Sequence, residues 1–281
     1  MARLALLIVA SKSDPASMNI LKELMELVEF EHTEVYAFGE RLEYCRDIDS
    51  YLIVIEGDLI RTDFLQDINL DIDGLLFLSK HASEKGIPSL LVHFPGNWTE
   101  DASMGGSPRK LSVCDPILHK ALVMSLYEKK SQGVIPDKYL VGIEVTHHGP
   151  TIDKASVFIE IGSSVQEWKD RRVGRIVAES VVDAVTRLPT MRGGEAYVGF
   201  GGPHYAPKFL NVLISDRSVL LGHIAPKYVI DSIDEAIVRE AIEKSTVEIK
   251  KALIDWKGLR SSQRKKVLSI LGDLGLSYQK I

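Results

Sequence analysis

Six of the eight histidines in this 281-residue chain share one setting. His81 (in LFLSKHASE), His93 (SLLVHFPGN), His147 and His148 (GIEVTHHGP), His204 (GFGGPHYAPKF) and His223 (after VLLG) each close or follow a short apolar run. Imidazole exchanges protons near neutral pH and is a common metal ligand. The ends of such runs are also where α/β sheets place their ligands. Neighbouring residues on a strand face opposite ways, so His147 and His148 can share a cleft only if the strand stops near Thr146, with the turn toward Gly149-Pro150 freeing them from alternation. Otherwise one of the pair works and its neighbour packs. Two carboxylates join the pattern. Glu144 shares an extended face with Thr146, and Glu160 interrupts the apolar FIEIG run, where a buried charge needs a histidine or a metal as partner. Imidazoles with carboxylates suit Zn2+. The chain has no His-x-x-x-His or His-Glu-x-x-His spacing, so a site would be assembled from distant strands. It also lacks a Gly-x-Ser-x-Gly elbow, which argues against a serine hydrolase.

The GFGGPHYAPKF stretch adds Gly199, Gly201 and Gly202, whose backbone can approach a ligand closely and donate amides to an oxyanion or phosphate. Pro203 follows and no helix pattern opens, so this is not a dinucleotide fingerprint. Tyr205 offers a stacking face and Lys208 a cation. In IEIGSSVQE, Ser164 and Glu167 read as a capping box at a helix start, which accounts for both without chemistry.

The elements that must hold these residues alternate between strand and helix. Apolar runs at 4–10, 51–56, 74–81 and 89–95 read as strands covered on both sides. Asp14-Pro15 and Asp115-Pro116 open helices. YLVGIEVTH and ASVFIEIG read as a strand pair joined through the Gly-Pro turn. One long helix is expected from Ser164 to about Leu188, then strands AYVGFGG, FLNVLISD and VLLGHIA. A helix from about Ser232 to Leu253 and the basic helix SSQRKKVLSILGDLG complete the chain. Loop 96–113, rich in Gly and Ser, is long enough to be functional or mobile. This is an α/β pattern with a mixed sheet in three layers and no obvious cut between domains, read as one domain over 1–281 with a basic helical segment at about 256–281.

Composition bounds the partners. The chain is 45% hydrophobic and 26% charged, with mean hydropathy +0.03. LALLIVA is too short for a membrane span and runs into polar SKSDP, so it reads as a strand and not a signal peptide. Cys45 and Cys114 make neither a disulfide framework nor a Cys-x-x-Cys site, and a cytoplasmic setting is expected. Net charge is −5, which disfavours general polyanion binding. In the last 26 residues, however, Lys257, Arg260, Arg264, Lys265, Lys266 and Lys280 face only Asp273. That segment can dock an RNA backbone locally or be a solvated face.

Together SKHASEKGIPSLLVHFPGNW, EVTHHGP, FIEIGSSVQEW and GGPHYAPKF resemble the archaeal and plant type of D-aminoacyl-tRNA deacylase, from the first strand to about His223. The resemblance implies hydrolysis of the ester joining a D-amino acid to the tRNA terminal ribose. It implies a three-layer fold like the phosphorylase/peptidyl-tRNA hydrolase group and an association with zinc. On that footing His81, His147, His148 and His204 are expected to react, with His93, Glu144 and Glu160 ligating metal or orienting those imidazoles. The Gly199 to Gly202 backbone would serve the oxyanion or terminal adenosine, Tyr205 and Trp98 would stack on the adenine, and Lys208 would bind substrate. Lys257, Arg260, Arg264, Lys265 and Lys266 would dock the backbone of tRNA charged with a D-amino acid; neither membrane nor DNA is an expected partner. Two other readings use the same residues: a metal-dependent hydrolase of small amides or esters, and a tRNA-binding protein without chemistry.

Overall fold

The computed structural model describes residues 5–191 and 193–281, so Leu4, the first residue of the opening apolar run, lies outside the described residues. The buried apolar runs form the centre of an eight-stranded mixed sheet. Its strands are β1 (Leu6–Ser11), β2 (Glu31–Ala37), β3 (Glu40–Cys45), β4 (Ser50–Ile55), β5 (Gly74–Ala82), β6 (Ser89–His93), β7 (Leu140–Ile143) and β8 (Ala155–Ser163). Their order is β2-β3-β4-β1-β5-β8-β6-β7. β4, β1, β5 and β8 run parallel, whereas β6 runs antiparallel to β8 and parallel to β7. The segments expected as a β7–β8 pair are therefore separated by β6: both use the β6 strand, one on each side.

Helices α1 (Pro15–Met25) and α2 (Pro116–Ser131) start where the Asp-Pro signals put them. Asp14 accepts from the amides of Ala16 and Ser17, and Asp115 from those of Ile117 and Leu118. The expected long helix divides into α3 (Val165–Trp168) and α4 (Arg171–Arg187). Asp170 caps the second part, and the Asn19 amide donates to the carbonyls of Trp168 and Asp170 at the break. Ser164 donates to Glu167 at 2.6 Å, so its hydroxyl engages the carboxylate directly. Together α1, α2 and α4 cover one face of the sheet through residues such as Ile20, Leu122 and Val177 packed on Ile8, Leu90 and Ile159. On the other face Leu59, Leu65 and Ile68, from two 3-10 turns and the loop after them, pack on Leu7, Val9, Phe77 and Phe158.

A second, all-parallel sheet has the order β10-β9-β11-β12, built from β9 (Glu195–Phe200), β10 (Val219–Ala225), β11 (Ile249–Ile254) and β12 (Ser277–Lys280). It lies between α2 and α5 (Pro207–Ser215) on one side and α6 (Glu235–Glu243) and α7 (Ser261–Asp273) on the other, a three-layer arrangement. Tyr197 and Leu221 join the core of the main sheet, while Ala196, Val198 and Phe200 face α6 and α7. Three local expectations fail here. FLNVLIS is helix α5, because Pro207 sits in its first turn and Phe209 and Leu213, four residues apart, share the buried face. The segment expected as helix to Leu253 ends at Glu243, and IKKALI becomes β11, inserted between β9 and β12. Residues after Asp273 leave the basic helix and form β12. Among the described residues no helix is long and apolar enough to cross a membrane.

Candidate active site

Strand register explains how distant residues meet. On β8, Phe158, Glu160 and Gly162 lie on one face. His81 of β5 is the partner of Gly162, and His93 of antiparallel β6 is the partner of Phe158. Partners across a ladder share a face, so the two imidazoles flank the Glu160 carboxylate. His81 Nδ1 lies 3.5 Å and His93 Nε2 3.6 Å from its oxygens. Gly162 makes this possible, since a Cβ there would come within 2.9 Å of the His81 ring and 2.4 Å of Ser89 Oγ.

The remaining donors come from the segment after β7. Its backbone joins the two sheets: the Glu144 amide donates to Val92 O, that of Val145 to His204 O, and that of Thr146 to Ile224 O. Strand alternation ends there. His148 adopts a left-handed backbone with φ 46°, and its ring centroid comes to 4.3 Å from that of His147. Both rings enter the same cluster, 4.4 and 4.8 Å from His93. Glu144 occupies the centre, 3.3 Å from His81 Nδ1, 2.7 Å from His204 Nε2 and 4.0 Å from His93 Nε2. Imidazoles from four parts of the chain thus converge, as the sequence pattern requires.

Backbone contacts set the imidazole tautomers. His147 Nδ1–H donates to Val145 O at 2.9 Å and His148 Nδ1–H to Gly149 O at 2.6 Å, which leaves each Nε2 with a lone pair. Burial and the nearby His148 and His93 hold the His147 pKa well below its ordinary value, and burial with His93 holds that of His148 at about 4. Both are neutral bases. His81 is the opposite case: burial opposes its charge, but Glu144 and Glu160 outweigh burial and raise it to about 11. Burial likewise works against charge on Glu144 and Glu160. The close approach of His204 and His81 brings Glu144 well below the carboxylate range, and that of His81 and His93 brings Glu160 to about 2. The cluster is therefore two carboxylates against imidazolium charge, beside a pair of neutral imidazoles.

His223, the sixth histidine, stands apart. It accepts from the Thr146 hydroxyl and donates to Ser112 O, fully buried, and serves as a brace under the Thr146 segment. Among the described residues, three groups of potential metal ligands have their ligand atoms within 4.8 Å of one another: His93, His147 and His148; Glu144, His147 and His204; and His81, Glu144 and Glu160.

A cavity of about 550 Å3 opens onto the cluster, with His81, His147, His148, His204 and Glu160 in its wall. The other residues expected to bind substrate are placed differently. Trp98 reaches the cavity wall but is 3% exposed and packs in the core of the second sheet, so it has no open face for a base. Gly199, Gly201 and Gly202 do not line the cavity. Gly199 gives room for Ile224 and Phe209, while Gly201, at φ 100°, lies against Leu259 and donates its amide to Ala225 O. An oxyanion role for that amide is thereby corrected: it is already bonded. The Tyr205 hydroxyl meets His81 Nε2 at 3.1 Å, so it is held as a partner of the cluster. The Lys208 ammonium pairs with the buried Asp255 at 2.6 Å, which ties α5 to the loop after β11 and removes it from the substrate side. Lys80 and Tyr228 are among the cavity residues not expected from sequence. Lys80 adjoins His81 and was open to inference; nothing in PKYVI marks Tyr228.

The basic segment is partly committed to the fold. Arg260 pairs with Asp231, Lys266 donates to Asp231 O, and Trp256 lies beneath Arg264 and Lys280 at 5.0 and 3.9 Å. Lys257 and Lys265 are exposed.

Residues 68–279 match the family model described as D-aminoacyl-tRNA deacylase. A protein of that name from Methanosarcina barkeri is 35% identical over 281 residues, spanning 97% of this chain and 88% of the relative. One from Methanocaldococcus jannaschii is 34% identical, spanning 98% and 99%. A crystal structure described as a conserved protein of unknown function superimposes with TM-score 0.85 at 29% identity, covering 100% of this chain and 96% of that one.

Proposed function

Because the chain belongs to the D-aminoacyl-tRNA deacylase family, we propose that its histidine–carboxylate cluster hydrolyses the ester between a D-amino acid and the terminal ribose of tRNA. The observation that supports this most is the convergence of seven side chains in one cluster, with His81, His147, His148, His204 and Glu160 in the wall of a solvent-reachable cavity and His93 and Glu144 buried behind them. An aminoacyl ester is reactive, so the enzyme has to place a water, take its proton and steady the oxyanion. His204 is suited to the first tasks. Its Nε2 lies 2.7 Å from Glu144 Oε1, and its side chain is 34% exposed, against 8% for His81 and 0% for His93. A carboxylate behind an imidazole fixes the tautomer and stabilises the cation that forms on proton uptake. Water adds its oxygen to the carbonyl carbon, the bond to the ribose oxygen breaks, and the proton held by His204 passes to that oxygen. The imidazolium of His81, set against Glu144 and Glu160 through Nδ1 and against the Tyr205 hydroxyl through Nε2, balances the carboxylates and keeps them ionised beside the site.

The residues also fit a zinc ion. His93 Nε2 is buried without a hydrogen-bond partner, and with His147 and His148 it forms a three-imidazole face whose Nδ1 atoms are all held by backbone carbonyls. Such carbonyls commonly orient histidine ligands; Glu144 and Glu160 stand beside them. When bound, zinc supplies a Lewis acid and lowers the pKa of a coordinated water. Since His93 is drawn toward protonation by Glu160, metal and proton compete for the same nitrogen.

A charged tRNA substrate implies the compartment of translation, the cytoplasm. Selection for the D amino acid would rest on a wall that clashes with the L side chain. The direct test offers D-aminoacyl-tRNA to protein stripped by a chelator and then reloaded with zinc. Release of free D-amino acid with intact tRNA, lost on stripping and regained on reloading, is expected. Undiminished turnover by fully stripped protein contradicts the zinc assignment, and no release by zinc-loaded protein contradicts the function.

Docking of the tRNA backbone is assigned to the exposed cations of the C-terminal segment. Lys257→Glu with Lys265→Glu should weaken tRNA binding and reduce the slope of log K against log salt by roughly 0.7–0.9 per lost phosphate contact. An unchanged slope would place the tRNA elsewhere. Arg260 and Lys266 are less informative targets, because both also hold Asp231.

A further inference from the structure

We infer that Tyr228 is the platform on which the terminal base of the tRNA stacks. The inference rests on the deacylase reading and adds a binding residue to it. Tyr228 is 57% exposed despite its size, and it lines the cavity together with Pro226 and Val229. Its hydroxyl lies 3.3 Å from His204 Nδ1. The ring therefore stands one side chain away from the imidazole assigned to the ester. In an aminoacyl-tRNA the ester is carried by the ribose of the terminal adenosine, so the base is one sugar away from the reacting carbonyl. With the ester at His204, the base falls beside the Tyr228 ring.

The other aromatics at the site do not compete for this role. Trp98 is buried in the second core, and Tyr205 is half-buried and does not line the cavity. Unpaired bases stack on aromatic faces irrespective of sequence, which suits an enzyme that must accept every tRNA with the same 3′ end. The hydroxyl adds a second task, since it is placed to donate to His204 Nδ1 and steady the ring until substrate arrives.

The test separates ring from hydroxyl and base from amino acid. Tyr228→Ala should raise KM on D-aminoacyl-tRNA about tenfold or more, the scale of one lost base stack, with kcat changed less than KM. Tyr228→Phe should restore KM to within about twofold. On D-aminoacyl-tRNA whose terminal nucleotide lacks its base, wild type and Tyr228→Ala should have the same KM. Equilibrium titration with adenosine uses no turnover and so tests the platform even if hydrolysis fails. Affinity should be kept by Tyr228→Phe and fall about tenfold in Tyr228→Ala. The inference is overturned if Tyr228→Ala is equally impaired on the base-free substrate, if Phe fails to rescue, or if adenosine binding is indifferent to the ring. It is overturned too if the defect follows the amino acid, appearing with D-phenylalanine and vanishing with D-alanine. Absence of turnover by wild type would count against the deacylase reading alone.

Discussion

Replacing His147 or His148 by alanine should lower turnover of D-aminoacyl-tRNA by at least about 10–100-fold, the cost of losing even an outer partner of a metal site, because each withdraws one of the three imidazoles that would hold zinc, while the protein still folds. The two rings lie 4.3 Å apart and reach the same cluster from adjacent residues, yet they are not redundant. His147 also touches the His204 ring at 4.6 Å, whereas His148 touches Phe158 at 5.2 Å. Each uses Nδ1 on a carbonyl of its own loop, so each offers only Nε2 to the site. Steady-state kinetics with circular dichroism and thermal melting would check this. A folded His147→Ala or His148→Ala enzyme with wild-type turnover would exclude that residue from the chemistry.

A second substitution should cost both activity and stability. Glu144 is buried, and three imidazoles stand around it. Glu144→Gln keeps its shape and removes the charge. His81 is then left with Glu160 alone, and His204 loses the anion that orients it. Breaking one partner out of a buried charge group costs about 3–5 kcal/mol, because the remaining charge is uncompensated; this should appear as a melting temperature lower by roughly 6–15 °C. Deacylation should fall by at least about a hundredfold. Asp14→Asn is a useful contrast: it weakens the α1 cap and the hydrogen bond to the Lys80 amide without touching the cluster histidines. If Glu144→Gln melts like wild type, the carboxylate is not paired as described.

The parts of this site that were legible in the sequence are those fixed by local rules. Histidines closing apolar runs, a carboxylate on an apolar strand and Asp-Pro helix starts all signal themselves within a few residues. The pairing of Glu160 with His81 and His93 needed the register of three strands, one of them antiparallel, which no single stretch encodes. Two of the misreadings share a cause. FLNVLIS and IKKALI are short, and over so few residues an apolar run fits strand and helix alike until the surrounding layers decide. GFGGPHYAPKF contributed His204 as expected, but its glycines answer to Leu259, Ile224 and Phe209 and not to a ligand. Composition gave no hint that Lys208 would be tied to Asp255, 47 residues away. Tyr228 could not be found from sequence, because what distinguishes it is exposure at a cavity rim.

The account stands on one claim, that the clustered imidazoles and carboxylates carry out ester cleavage selective for the D amino acid. The most direct measurement is the single-turnover rate on matched D- and L-tyrosyl-tRNA, run in parallel for wild-type protein and His204→Ala. The account predicts fast release from the D substrate by wild type, release from the L substrate near the uncatalysed rate, and loss of the D-specific reaction in the variant. Equal rates on the two enantiomers, or a variant that still discriminates at wild-type speed, would contradict it.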